Sequence, residues 1–325
     1  MSAAHTLRIG TRASALALWQ ANRVADLIRA QPGAPSVQLV HIKTEGDVRT
    51  DIPLWAAGGR AFFTREIDRA QLSGEVDIAV HSLKDLSTLL TAGLELAAVL
   101  EREDPRDALL SRHGATLLDL PRGARVGTSS LRRRAFLCRA RPDLTLLELR
   151  GNVPTRIERL QQGAYDAIVL ATAGLLRLDL SAHIGTRMEP AVMPPAVSQG
   201  AIGVCARSGD ESALRWLQAL DHAATRVAVT AERALLRRIE GGCQVPLGAL
   251  ATRVGGQLSL TASVCALDGS IAIDCQDQAP LVDVTQPSAL AAAAALGVRV
   301  AEQLLARGAA DIIAQQRTPA TVELP

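Results

Sequence analysis

The chain has 325 residues, 48% hydrophobic and 21% charged, a balance that suits a soluble globular protein of two or three domains with a large core. Its net charge is only +2 and its aromatic content 2%, so it has neither a global field for polyanions nor much to stack on bases, which disfavours nucleic-acid binding.

The first two-thirds of the chain alternates short apolar runs with amphipathic helical patterns. Leu7 to Gly10 reads as a strand and Ser14 to Arg29 as a helix. Val37 to Lys43 is a strand, Phe63 to Ser73 a helix, and Val76 to His81 a buried strand followed by another at Leu94 to Leu100. Such alternation predicts parallel sheets with crossover helices. Glu101 to Asp107, charged and broken by Pro105, reads as a hinge. A second α/β unit follows, with strands at Arg125–Gly127, Leu144–Leu149 and Ala167–Ala171 and helices from Ser130 and over Pro154–Gln162. Pro190 to Pro195 is a second crossing, and Ala201 to Ala206 returns as a strand. Two α/β units joined twice make a cleft with a hinge at its base, where strand ends meet helix N-termini and ligands bind. The expected domains are 1–101 with 198–222, then 102–197, then 223–325.

From Ala223 the pattern changes. A helix leads to Ile239, three strands follow near 247–254, 257–266 and 271–277, and an alanine-rich helix runs from Ser288 to Ala306. Gly255-Gly256 and Asp268-Gly269 are hairpin signals. This is a separate small α+β domain, and the last ten residues read as frayed. No run of about 18 apolar residues marks a membrane span. Met1 to Leu7 has no basic stretch before an apolar run, so a cytoplasmic location is expected. The five cysteines (138, 205, 243, 265, 275) are odd in number and form no close CxxC pair, which argues against a zinc site or disulfide framework; no metal is expected.

Three strand-to-helix junctions share one construction: a small-residue turn, hydroxyls and arginine. They are Gly10-Thr11-Arg12-Ala13-Ser14, Gly127-Thr128-Ser129-Ser130-Leu131-Arg132-Arg133, and Arg150-Gly151-Asn152-Val153-Pro154-Thr155-Arg156. Each offers backbone N–H groups, a capping hydroxyl and a forked cation at the positive end of a helix, a receptor for carboxylate or phosphate. A single junction is more simply a capped helix with solvated arginines; three on one cleft point to a ligand with several negative charges. Of 35 basic residues only Lys43 and Lys84 are lysine, so a compact ammonium at Lys84 is a candidate for work a guanidinium cannot do. Beside it Asp85 follows a buried strand, placed to accept N–H bonds, move protons or stabilise a developing cation. Cys243 lies in Glu240-Gly241-Gly242-Cys243-Gln244-Val245-Pro246, where glycines end a helix and Pro246 bars its resumption. A thiol on such a turn is either a nucleophile or tether, or an ordinary buried cysteine.

Together these segments resemble hydroxymethylbilane synthases, also called porphobilinogen deaminases. The resemblance adds Leu16-Ala17-Leu18-Trp19-Gln20, Arg102-Glu103-Asp104-Pro105-Arg106-Asp107 and Pro195-Ala196-Val197-Ser198-Gln199-Gly200-Ala201, all in order along the chain. It implies an α/β fold of two periplasmic-binding-protein-like domains with a hinged cleft plus a small C-terminal α+β domain, acting as a cytoplasmic monomer. It implies that Cys243 holds a dipyrromethane cofactor by a thioether, with Lys84, Asp85, Thr128, Ser130, Arg132, Arg133, Arg150 and Gly151 around it. Arg12, Ser14, Phe63, Arg150, Arg156 and Gln199 would bind porphobilinogen and the growing polypyrrole, and Asp85 would be the catalytic group. The chain departs from the family pattern at Arg60-Ala61-Phe62, at Leu86-Ser87 and at Ser198. The competing expectation is a non-catalytic paralogue that binds an acidic small ligand.

Overall fold

Leu7 and Ile9 are fully buried and open the first strand of a sheet that the rest of the chain builds outward. The computed structural model describes residues 6–44, 64–112, 114–239, 245–281 and 283–317. Strands β1 (Thr6–Thr11), β2 (Ser36–His41), β3 (Ile78–Ser82) and β4 (Leu94–Val99) belong to the first sheet; β5 (Asp107–Ser111), β6 (Arg125–Gly127), β7 (Thr145–Leu147), β8 (Ala167–Ala171) and β9 (Thr186–Arg187) form the second. Strand β10 (Ile202–Arg207) returns to the first sheet, giving the orders β2-β1-β3-β10-β4 and β7-β6-β8-β5-β9. The chain is thus mixed α/β with two α/β units, followed by a small α+β part.

The sheets are mixed rather than parallel. β10 runs antiparallel to β3 and β4, and β5 antiparallel to β8 and β9. The cause is the position of the crossings: Ile202 lies opposite Ser82 at the end of β3, and Asp107 opposite Ala171 at the end of β8. A strand that starts where its neighbour ends, with no helix to carry the chain back, can only run the other way. The sequence pattern shows no strand at β5, because its first residue, Asp107, closes the charged, proline-broken segment that reads as a hinge.

Helix α1 (Ala15–Arg29) is capped by Ser14 and presents Ala21, Val24, Ala25 and Ile28 to the first sheet, a single stripe at helical spacing. Helices α2 (Arg65–Leu72), α3 (Leu131–Ala140), α4 (Val153–Gln161), α5 (Thr172–Arg177) and α6 (Glu211–Leu217) flank the two sheets; α5 and α6 carry no strong sequence signal. Helix α7 (Ala223–Arg238) leads into the third sheet, an antiparallel β11 (Leu247–Val254), β12 (Gln257–Cys265) and β13 (Ala272–Pro280). Helix α8 (Pro287–Ala306) covers that sheet, and α9 (Ala309–Arg317) follows it. By length and apolarity α8 could cross a membrane, yet Ala289, Ala293, Leu296, Val300 and Leu304 pack into the core shared with α7 and β12, the arrangement of a core helix. Gly297 makes that packing close, since a Cβ there would fall on the Ala231 carbonyl oxygen of α7.

Between the two α/β units the backbone takes an unusual conformation at Ser198, with φ 63°. The serine side chain is fully buried and its hydroxyl has no hydrogen-bond partner among the described residues. Left-handed backbone costs a non-glycine residue about 1–2 kcal/mol, and a glycine would escape both that cost and the orphaned hydroxyl. Ser198→Gly is therefore expected to stabilise the fold by about 1 kcal/mol, read as a higher denaturation midpoint.

Candidate active site

Three of the junctions read from the sequence do cap helices. Ser14 accepts from the Ala17 amide at 3.4 Å and Ser130 from the Arg133 amide at 3.4 Å. At the third junction the cap is Asn152, not Thr155: its side chain takes the Thr155 amide at 2.9 Å and the Thr155 hydroxyl at 2.8 Å. The helix begins one residue before Pro154, so Thr155 already lies inside it. Gly151, with φ 111°, turns the chain into that cap, and Arg156 donates back to its carbonyl at 2.7 Å.

Lys84 and Asp85 occupy a 3-10 turn straight after β3, anchored where the Leu83 amide donates to the Ala201 carbonyl at 3.0 Å. Asp85 is exposed while Lys84 is half-buried. Burial pushes the Lys84 ammonium down to about 8; Asp85 and Asp107 oppose that shift, and Arg133 and Arg132 reinforce it. This is the one property separating Lys84 from the arginines around it, since a guanidinium stays protonated at any such pH. The Lys84 Nζ lies 3.4 Å from Gln199 Oε1, and the Gln199 amide donates to the Pro105 carbonyl at 2.7 Å and to Asp107 at 3.0 Å. Gln199 thus joins the Lys84 turn on the first sheet to Asp107 at the start of the second.

Asp107 is fully buried and holds two of the expected carboxylate receptors. Arg132 donates to it at 2.7 Å and Arg133 at 2.7 and 3.1 Å, and although burial opposes ionisation, those guanidiniums keep the carboxyl far below its ordinary range. Arg132 spends its other nitrogen on the Pro194 carbonyl, whereas Arg133 reaches the cavity wall. Arg156 is held down at about 10, by burial first and then by Arg133 and Arg150. His81 is buried and pushed down to about 4 by burial and then Arg12, which leaves it neutral, a packed strand-end residue.

The cavity between the sheets is lined by Lys84, Arg133, Arg156, Arg177, Gln199, Gln20 and Ser82, with apolar walls from Leu16, Val153 and Leu170. Among the described residues no carboxylate lines it. Four cationic side chains converge on a partly buried space without a lining counter-charge, a donor set that fits a ligand bearing several carboxylates. Of the expected site residues, Lys84, Arg133, Arg156 and Gln199 meet in this cavity, and Asp85 lies near enough to Lys84 and Arg156 to act on both charges. Arg150 stands beside Arg156 and Arg12 beside His81, while Ser14, Thr128, Ser130 and Gly151 sit at strand ends or helix starts and do not themselves line the cavity. Phe63, Cys243 and the Arg60-Ala61-Phe62 departure lie outside the described residues.

Three contributors were not read from the sequence. Arg177 enters from α5, its guanidinium 5.7 Å from the Trp19 ring centroid and donating to the Gly200 carbonyl at 2.6 Å. Its junction, after β8, has no capping hydroxyl, since the N-cap is Ala171, and the arginine comes more than one helical turn later, so no compact motif marks it. Gln20 bonds Ser82 at 2.9 Å, and Asp107 was hidden in the supposed hinge.

A family model for the porphobilinogen deaminase dipyromethane cofactor binding domain matches residues 7–215, and one for the porphobilinogen deaminase C-terminal domain matches 226–306. The chain is 49% identical over 309 residues to the porphobilinogen deaminase of Roseiflexus sp. (strain RS-1), which covers 95% of this chain and 99% of that one. Against that of Syntrophotalea carbinolica it is 46% identical over 308 residues, covering 95% of both. Among solved structures it is similar to a periplasmic binding protein of Salmonella typhimurium, at 14% identity over 67% of this chain and 92% of that one and a TM-score of 0.36; the fold class rests on the sheets themselves. With family models covering both the cavity-bearing units and the C-terminal part, and relatives nearly half identical from end to end, the chain belongs to the porphobilinogen deaminase family.

Proposed function

We propose that the chain is a hydroxymethylbilane synthase, a transferase that condenses four porphobilinogen molecules head to tail with loss of ammonia and releases hydroxymethylbilane by hydrolysis. The observation that carries this reading is the cavity lined by Lys84, Arg133, Arg156 and Arg177 with no carboxylate among the described lining residues. Every pyrrole of such a chain bears an acetate and a propionate, and each needs a cation in a space shielded from water. The matching family model is named for dipyrromethane binding, and this donor set suits it: Lys84, Arg133 and Arg156 would hold its carboxylates, with Thr128, Ser130, Arg150 and Gly151 at the neighbouring helix starts, and Cys243 would be its point of attachment. When bound, it supplies the nucleophilic pyrrole carbon on which the product is built.

Asp85 is the catalytic group in this reading. Its place at the end of β3, beside Lys84, lets it accept pyrrole N–H bonds and take up the proton lost as each new bond forms. Porphobilinogen that has lost ammonia is a cation, and at an effective dielectric of about 20 a carboxylate 4 Å away is worth roughly 4 kcal/mol. Arg12, Ser14, Arg156, Arg150 and Gln199 would orient the incoming substrate, with Phe63 over its ring, and Arg177 joins them on the evidence of the cavity wall. Arg132, tied to Asp107 and Pro194, would act through the position of Arg133 and its helix. A cytoplasmic monomer that needs neither nucleic acid nor membrane is part of the same proposal, supported by free thiols at Cys138, Cys205, Cys265 and Cys275 and by the small net charge of +2. The non-catalytic binder is not favoured, because relatives of matching length bear the deaminase name.

Three outcomes follow. Intact mass of the denatured protein should exceed the sequence mass by two pyrrole units mapped to the Cys243 peptide, and Cys243→Ser should give the bare chain; a bare wild type after incubation with porphobilinogen would refute the tether. Asp85→Ala should lower kcat by at least about 100-fold with an unchanged melting midpoint. Lys84 is cationic below its depressed value of about 8 and neutral above it, so carboxylate affinity is present at lower pH and lost as pH rises through that value. KM for porphobilinogen should therefore climb above about pH 8, by up to about tenfold per pH unit, and Lys84→Arg should flatten the climb.

A further inference from the structure

Helix α7 carries an arginine stripe that no step above uses. Arg226, Arg233 and Arg237 recur at spacings of seven and four and so share one helix face. All three donate to main-chain carbonyls of the first α/β unit. Arg226 takes Leu96 and Ala97, each at 2.9 Å. Arg233 takes Leu86 at 3.1 Å and Ser87 at 2.6 Å, and Arg237 takes Thr88. Three successive carbonyls, at 86, 87 and 88, are therefore bound from one helix, and they begin immediately after Asp85. The other side of α7 is fixed as well: Val227, Ala231 and Leu235 are buried in the C-terminal core, and Gly297 lets α8 press on its backbone.

We propose that Arg233 and Arg237 are positioning residues that clamp the Lys84–Asp85 turn to the last turns of α7, so that Asp85 keeps a set distance from the C-terminal end of that helix. The inference rests on the functional reading for its chemical meaning, because in sequence Cys243 follows that helix by five residues. Without the clamp, residues 86–88 would be held by the packing of Leu86 in the cluster of Leu83, Val99 and Val229 and by two local hydrogen bonds, Leu86 amide to the Leu83 carbonyl at 3.3 Å and Leu89 amide to the Ser87 hydroxyl at 3.2 Å. The second of these bonds exists because residue 87 is serine, one of the positions where the chain departs from the family pattern. A guanidinium fork can hold adjacent carbonyls together, which an ammonium on a flexible stem does poorly. A misplacement of about 1 Å at a reacting group can cost about 100-fold in rate, so a loosened turn should be felt in turnover before it is felt in binding.

The experiment compares Arg233→Lys and Arg237→Ala with Arg226→Lys, whose carbonyl partners lie on β4 away from the turn. Hydrogen–deuterium exchange of the peptide spanning 83–90 should quicken at least about fivefold in Arg233→Lys, with kcat down about tenfold and KM for porphobilinogen within about twofold. Arg237→Ala, at an exposed position, should move both readouts the same way by less, and it carries the test if Arg233→Lys does not fold. Arg226→Lys should leave kcat within about twofold of wild type. Unchanged exchange at 83–90 overturns the proposal, and so does retained kcat with quickened exchange, or an equal kcat loss in Arg226→Lys. A wild type without bound pyrroles and without turnover would sink the functional reading instead, and exchange alone would then decide whether the clamp exists.

Discussion

The carboxylate of Glu232, on α7 and fully buried, ties both crossings between the α/β units to the first strand of the third sheet. Arg102, from the first crossing between the α/β units, donates to both of its oxygens at 2.6 and 3.2 Å. The Ser198 amide, from the second crossing, donates at 2.7 Å, and the Ala251 amide of β11 at 2.9 Å. Arg102 also reaches the Gln199 carbonyl at 2.8 Å, which closes the link between the crossings. Breaking a buried pair of this kind by removing one partner costs about 3–5 kcal/mol, because the survivor is left charged and dry. The hinge is therefore hydrogen-bonded to the helix that begins the C-terminal part, and any change in its shape must be shared with that helix.

The strain at Ser198 follows from the same node. Its amide must point at Glu232 while Gln199, the next residue, turns its side chain to Asp107 and Lys84. The left-handed backbone at 198 accompanies this change of direction, and Gly200 continues the turn with φ 91°. Glycine at 198 would satisfy the geometry more cheaply, but serine is tolerated because the fixed partners on both sides leave the backbone no alternative.

The cavity is held by a deliberate imbalance of charge. Asp107 neutralises part of the arginine cluster from behind, which makes Arg132 and Arg133 affordable in a dry interior, while Lys84, Arg156 and Arg177 face the space as cations whose charge burial disfavours. That burial is a standing cost to the empty protein and a source of affinity for carboxylates, since an anion entering the cavity relieves it. Rigid supports keep the cations from relaxing away: Arg133 and Arg177 each spend a nitrogen on a main-chain carbonyl, at 2.8 and 2.6 Å.

What could be read directly from the residues was local. Helix starts at Ser14 and Ser130, the hairpins at Gly255-Gly256 and Asp268-Gly269, and the alanine-rich α8 depend on groups within about four positions of one another, so turn and capping chemistry shows them. The arginine-bearing junctions and the Lys84–Asp85 turn were legible for the same reason, and so was the α/β character. The reversal of β5 and β10 was not, because strand direction depends on where the crossings lie in space and not on the residues of the strand. Nor could the sequence tell that Arg132 faces Asp107 and Pro194, that Arg177 enters the cavity under Trp19, or that Glu232 gathers both crossings. Those partners lie from 25 to 158 positions apart, and a charged side chain reads alike in sequence whether it ends in water, on a buried carboxylate or in a binding cavity. Only the packing of the three sheets decides among these.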